Sequence, residues 1–154
     1  MPSYVLKCIH YAHIYPLLTY CNPIWCSTYS THLIPLQRQL KKIVRIITNS
    51  TYLAHSLPLF KQTQILRLED IYKMAIATFM YVNKSNSLNL LPSHNYPTRQ
   101  RNLLRPPTQR QTKTRHSITY QGPVIWNTIP PQIQNSVSLN IFKTRMKKHI
   151  LSSY

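Results

Sequence analysis

Residues 32–48 read HLIPLQRQLKKIVRIIT, and this stretch decides the fold class. Its apolar side chains recur every three or four positions, as on one face of an α-helix, and they are Leu33, Leu36, Leu40, Val44 and Ile47. The cationic side chains share the opposite side, and they are Arg38, Lys41, Lys42 and Arg45. We therefore predict an amphipathic helix whose basic face can follow a phosphate backbone.

Helical patterns also occur on both sides of this stretch. The apolar and aromatic segment 4–20 predicts a first helix that packs on another surface, and residues 21–23 predict a turn after it. A third helix should begin near Glu69 and Asp70, because acids in a first turn complement the helix dipole. We expect the polar run 83–89 to end this helix, after a buried stripe of Ile71, Met74, Ala75, Thr78, Phe79 and Val82.

The remaining segments should be mostly short and irregular. Residues 58–60 should form a connection, 117–120 a short strand or extended piece, and 122–123 a turn, with 130–131 stopping the segment. A last helix should begin at Ser138, which is an N-cap candidate, and bury Leu139, Phe142, Met146 and Ile150. The prediction is thus a mainly α protein, a small helical bundle with a long basic loop and a C-terminal helix.

The charge of the chain is unusual. Its 154 residues include 19 Lys and Arg against 2 acids, for a net charge of +17. A domain of this size ordinarily carries a net charge of about 2–8 in magnitude, so this one needs a polyanion or an acidic partner. Nucleic acid is the commonest such partner, and an anionic membrane surface is the next candidate. No apolar run is long enough for a membrane span. We expect RNA or DNA as the partner and no membrane.

A basic loop is the strongest local signal. Residues 92–117 hold six cations among Pro, Gln, Asn and Thr, and we expect an extended or partly disordered loop. We favour contacts to phosphates as the role of these cations, and the alternative is a solvated linker without a ligand. The six cations are Arg99, Arg101, Arg105, Arg110, Lys113 and Arg115. Tyr96 and Tyr120 flank the loop and are placed either to stack on bases or, as we favour, to anchor the loop ends.

The sequence contains few residues that could form a catalytic site. A single glycine, Gly122, excludes Gly-rich phosphate loops. Nucleotidyl transfer needs carboxylates that hold two metal ions, and only Glu69 and Asp70 are present. Neighbours on a helix point about 100° apart, so these two do not converge and are better explained as helix N-terminal charges. We predict no catalytic residue and no cofactor.

Cysteines and histidines near the start of the chain do not form a convincing metal site. Cys8, His10, His13, Cys21 and Cys26 lie close in sequence, but their order does not match two close ligand pairs. We therefore expect buried thiols and interface histidines, and no metal. An odd number of cysteines argues against a secreted disulfide framework, and the start does not read as a signal peptide. An intracellular location follows, with the nucleus as one option.

A family resemblance runs through most of the chain. YCNPIW at 20–25, KKIVRII at 41–47 and SITYQGP at 117–123 with IWN at 125–127 are the most specific pieces. With the spacing of the segments between them, they resemble the region that follows the palm in reverse transcriptases of non-LTR retrotransposons, jockey-like elements among them. The resemblance extends over 4–151.

The resemblance implies a three-part organisation and a role beside a polymerase centre. It implies a thumb-like helical region at 1–90, a basic flexible loop at 91–117 and a C-terminal extension with a terminal helix at 118–154. In the family this region grips the template-primer duplex and element RNA, whereas the catalytic Tyr-x-Asp-Asp motif lies upstream and has no counterpart here. We therefore expect a truncated C-terminal fragment of an RNA-directed DNA polymerase. It would bind nucleic acid without catalysis, with the missing polymerase core as a further partner. The alternatives are a helical protein–protein interaction module and a relic without function.

Overall fold

The computed structural model of the chain describes residues 1–83, 103–108 and 110–154, with 112 and 113 described by their backbone alone. Helices account for most of this described part, and no strand occurs in it. The prediction of a mainly α fold, a small helical bundle, is confirmed. The division into 1–90, 91–117 and 118–154 stays a prediction, because much of the central segment lies outside the described residues.

The described helices occur in a fixed order along the chain. They are α1 (Ser3–Ile9), a π-helical turn (His10–Ile14), α2 (Tyr15–Thr19), α3 (Asn22–Trp25), α4 (Ser30–Ile47), α5 (Ser56–Thr63), α6 (Leu68–Val82), a 3-10 helix (Thr112–His116), α7 (Ile118–Asn127), α8 (Pro131–Gln134) and α9 (Leu139–Ser152). The predicted first, second, third and last helices are confirmed. The turn predicted at 21–23 is confined to residues 20 and 21, because Asn22 and Pro23 already begin α3. The contacts divide the chain into a first unit, 1–72 with 148–154, and a second unit, 73–147.

The core of the first unit lies along α4. Leu40, Val44 and Ile47 are buried, while Leu33 and Leu36 nearer the start of the helix are half-buried. The predicted apolar stripe therefore faces the protein, and α4 packs against α5 and α1. Residues 58–60 lie within α5, and Phe60 on its inner side is 2% exposed. The predicted connection there is wrong, because tertiary burial of Phe60 favours a helix that Pro58, at its third residue, still permits.

Left-handed residues end helices of the first unit without glycine. Cys21, Asn49 and Gln64 have φ of 47°, 51° and 57°. After α4, the Ser50 N–H donates to the Arg45 carbonyl at 2.9 Å and the Asn49 N–H to the Ile46 carbonyl at 3.2 Å. This is the Schellman arrangement with asparagine in the position that glycine usually takes.

The core of the second unit centres on Phe142 of α9, which is fully buried. Its ring stacks on Tyr81 at 4.5 Å and on Trp126 at 6.0 Å between ring centroids. The Tyr81 hydroxyl donates to the Ser136 carbonyl at 2.6 Å, which ties α6 to the segment before α9. The Ser138 carbonyl accepts the first backbone bond of α9, and its hydroxyl accepts from the Ile141 N–H at 3.4 Å, as predicted for the N-cap.

Three further expectations for the second unit are wrong. Residues 117–120 form the start of α7 instead of a strand, with Ser117 extended as the residue before the helix. Gly122 and Pro123 lie inside α7 and are buried, so they make no turn. The glycine serves close packing, because a Cβ at position 122 would lie 2.7 Å from the Met80 Sδ atom. On α6, Ile76, Ala77 and Met80 are buried, whereas Phe79 and Val82 of the predicted stripe are exposed.

Candidate nucleic-acid interface

The basic face of α4, formed by Arg38, Lys41, Lys42 and Arg45, is the first part of the candidate interface. Arg38, Lys41 and Lys42 are exposed, on the side of the helix opposite the buried stripe. At about 1.5 Å of rise per residue, the four positions span about 10 Å, the axial length of about three nucleotides in one strand of a duplex. The helix thus presents a row of cations at a pitch that suits a phosphate backbone.

Arg45 differs from the other three. It is half-buried, and its Nε donates to the Ala54 carbonyl at 3.0 Å. Its guanidinium carbon lies 5.8 Å from the centroid of the Tyr52 ring. This side chain therefore holds the chain that follows α4 as well as contributing charge.

A groove runs along the basic face. It has a volume of about 540 Å³, and its walls are Pro35, Arg38, Gln39, Lys41, Lys42, Arg45 and Tyr52. Tyr52 is 74% exposed. Tyr52 was absent from the residues predicted for the site, although an aromatic residue in a turn directly after a basic helix is a signal that could have found it. We refer to this feature as the α4 groove.

Neither acid of the chain lines the α4 groove. Glu69 accepts a hydrogen bond from the Gln37 amide at 3.1 Å, and Asp70 pairs with Arg67 at 2.8 Å. Within the described ranges, no ion pair involves a cation of the α4 groove. The positive charge of the groove is therefore available to an external anion.

The predicted cations of the basic loop are only partly described. Arg105, Arg110 and Arg115 are exposed and belong to the second unit, and Lys113 lies on the 3-10 helix. Arg99, Arg101 and Tyr96 lie outside the described residues. Tyr120 is half-buried in α7. The contribution of the loop to binding stays a prediction.

Asp70 has a second role that its position at a helix start did not reveal. It is 2% exposed, and its Oδ2 accepts from the Arg67 Nε at 2.8 Å and from the Tyr154 hydroxyl at 2.6 Å. The Tyr154 hydroxyl in turn accepts the Arg67 backbone N–H at 3.1 Å. Burial and donation to Asp70 raise the pKa of Tyr154 well above its ordinary value. This cluster joins residues 84 apart in sequence and stabilises the start of α6.

The cysteines and histidines near the start of the chain do not converge. Over the described ranges, no three His, Cys, Asp or Glu side chains are placed to hold a metal ion. Cys8, Cys21 and His13 are exposed, so the expectation of buried thiols holds for Cys26 alone, where burial raises the thiol pKa to about 11. His10 on the π-helical turn is 1% exposed, and neither ring nitrogen has a hydrogen-bond partner among the residues that the structure describes.

Among the helices described, none combines the length and the apolar character that crossing a bilayer requires. No family model matches the chain, and neither the curated proteins nor the solved structures contain a significant match to it.

Proposed function

We propose that this chain binds nucleic acid without catalysing a reaction on it, and that the α4 groove makes the phosphate contacts. The observation that carries the proposal is the row of exposed cations Arg38, Lys41 and Lys42, in a groove that neither acid of the chain lines. Such contacts position a backbone and do not read bases. The net charge of +17 supports the same partner.

A salt titration tests the proposal. Filter binding of a short duplex at several salt concentrations, from about 50 to 200 mM, measures the dependence of the affinity on salt. Each phosphate contact contributes about 0.9 to the slope of log affinity against log salt. Lys41→Gln combined with Lys42→Gln should therefore reduce the slope by about 2 and weaken binding.

A matched control comes from α9. Lys143 and Lys148 are also exposed on a helix, so replacing both with Gln removes the same charge. We expect the control to retain most of the wild-type slope. Equal losses in both double variants would show that the binding is not localised to α4. An absent or salt-independent interaction with both duplex and single strands would contradict the proposal as a whole.

The relationship to non-LTR retrotransposon reverse transcriptases is part of the same proposal. It is supported by the sequence resemblance over 4–151 and by the mainly helical fold expected for a thumb-like region. On this proposal the chain lacks the polymerase centre and would act beside one. The reading frame upstream in its transcript tests it. A Tyr-x-Asp-Asp motif in that upstream sequence would support the relationship, a continuous frame would make the chain a fragment of an active enzyme, and an unrelated upstream sequence would contradict the relationship.

A second candidate function is protein–protein interaction. Large apolar side chains near the start of the chain are more than two-thirds exposed: Tyr4 at 70%, Leu17 at 76%, Tyr20 at 77% and Ile24 at 71%. The opposite side of the same segment buries His10 and Leu18, so this segment is apolar on both sides. A polypeptide that stays bound after nuclease treatment, and that Leu17→Asp with Ile24→Asp releases, would favour this candidate.

A further inference from the structure

The chain that follows α4 is held in place by backbone hydrogen bonds. The Schellman arrangement at Asn49 and Ser50 reverses the chain at the end of the helix. A tight turn comes next, in which the Ala54 N–H donates to the Thr51 carbonyl at 3.0 Å. Tyr52 occupies the first corner of this turn. Tyr52 therefore lies in a short segment whose two ends are fixed by backbone hydrogen bonds.

The Arg45 side chain also holds this segment in place. Its Nε donates to the Ala54 carbonyl at 3.0 Å, and its guanidinium approaches the Tyr52 ring at 5.8 Å from the centroid. The ring nevertheless stays 74% exposed. An aromatic ring that is held in place yet open to solvent loses little freedom when a flat partner stacks on it.

The ring and the cations share the α4 groove. Arg38, Lys41 and Lys42 line the same space of about 540 Å³ as Tyr52. Proteins that bind single strands combine cations that follow the backbone with aromatic rings on which bases stack. In a duplex the bases are paired and stacked on one another, so a ring on the protein surface cannot stack on them. In a single strand the bases are unpaired, and the ring can stack on one of them.

We propose that Tyr52 is a stacking platform for an unpaired base, so that the α4 groove takes single-stranded nucleic acid. The inference rests on the proposed function and names its substrate class. An anionic membrane surface is the rival, because Leu53 beside Tyr52 is 89% exposed. The concave groove favours the strand, since a bilayer surface meets a concave wall poorly.

The test uses fluorescence anisotropy with the full chain. The probes are an oligothymidine of about 20 nucleotides, an abasic strand of equal length, a duplex and vesicles containing anionic lipid. Tyr52→Ala should weaken binding of oligothymidine by roughly 5- to 150-fold, the range expected for one stacked base. Binding of the abasic strand and of the duplex should not change. Tyr52→Phe keeps the ring and should bind oligothymidine like the wild type.

The outcomes separate the two proposals. If Tyr52→Ala binds oligothymidine as the wild type does, or weakens all three nucleic acids equally, the stacking proposal is overturned while the phosphate contacts stand. If no nucleic acid binds in a salt-dependent way, the proposed function itself fails. Vesicle binding that Tyr52→Ala abolishes, without any effect on oligothymidine, would assign the groove to a membrane surface.

Discussion

The hydroxyl of Tyr154 should contribute strongly to the stability of the first unit. It donates to the Asp70 Oδ2 at 2.6 Å and accepts the Arg67 N–H at 3.1 Å. Tyr154→Phe removes both bonds but keeps the ring, over which the Arg67 guanidinium lies at 4.8 Å from the centroid. The variant therefore isolates the hydroxyl from the packing and cation–π contributions of the side chain.

The partners of the Tyr154 hydroxyl set the expected loss in the free energy of unfolding. A hydrogen bond to a charged group contributes about 1.5–3 kcal/mol, and the Asp70 carboxylate that accepts this bond is 2% exposed. Because Arg67 is about one-third exposed and can compensate in part, we expect a loss of about 2 kcal/mol in the free energy of unfolding. For a chain of this length, that corresponds to a fall in Tm of about 4–8 °C.

Urea denaturation followed by circular dichroism measures the loss. Tyr4→Phe is the matched control, because Tyr4 is 70% exposed, and its free energy of unfolding should change by less than about 0.5 kcal/mol. Asp70→Asn should cost less in the Tyr154→Phe background than in the wild type, since the two groups share a bond. Equal effects of the two Tyr→Phe variants, or strict additivity with Asp70→Asn, would refute the reasoning.

Alkaline pH gives the same variant a second readout. The pKa of Tyr154 is raised in the folded state, whereas the unfolded phenol ionises near pH 10. The stabilisation is thus fully present below about pH 10 and is lost as the pH rises toward the folded pKa. The wild type should lose more stability than Tyr154→Phe above that pH. An identical alkaline dependence in both proteins would show that Tyr154 is not protected from ionisation.

Three further predictions concern Gln64, Gly122 and His10. Gln64→Gly should raise the free energy of unfolding by about 1 kcal/mol, because φ at this position is 57°; no gain in the urea midpoint would argue against strain there. Gly122→Ala should lower it by about 1 kcal/mol despite the better helix propensity of Ala, since the new Cβ meets the Met80 Sδ at 2.7 Å; a higher Tm would show that Met80 moves aside. Burial lowers the pKa of His10 below 6.5, so its contribution to stability is present above about pH 6.5 and declines as the pH falls toward the folded pKa. His10→Leu should therefore flatten the fall in the urea midpoint on acidification, and an unchanged pH profile would contradict this.

Local patterns explain the parts of the fold that sequence reasoning predicted well. The stripe that ends in Leu40, Val44 and Ile47 is a periodicity within one helix, and Ser138 and Glu69 mark helix starts through bonds or charges within one turn. Such signals involve residues three or four apart, so the sequence displays them directly.

Nonlocal contacts explain the misses. Phe60 is helical because the core of the first unit buries it, and Gly122 is required by Met80 on another helix rather than by a turn. The bond between Asp70 and Tyr154 joins residues at distant positions, so the acid that looked like a helix-terminal charge is also buried. No window of sequence contains both partners of these contacts.

The sequence alone determined the helical class of this protein and its excess of positive charge. Both are sums over local properties: periodicity within each segment, and 19 cations against 2 acids. Only the tertiary structure decided which charges remain available. In the folded chain Asp70 accepts hydrogen bonds from Arg67 and Tyr154, and Arg45 donates one to the turn after α4. Lys41 and Lys42 stay exposed and line the same groove as Tyr52. The physical reason is that a charge is neutralised only by groups that lie close to it in the folded protein, and these groups can come from any part of the chain.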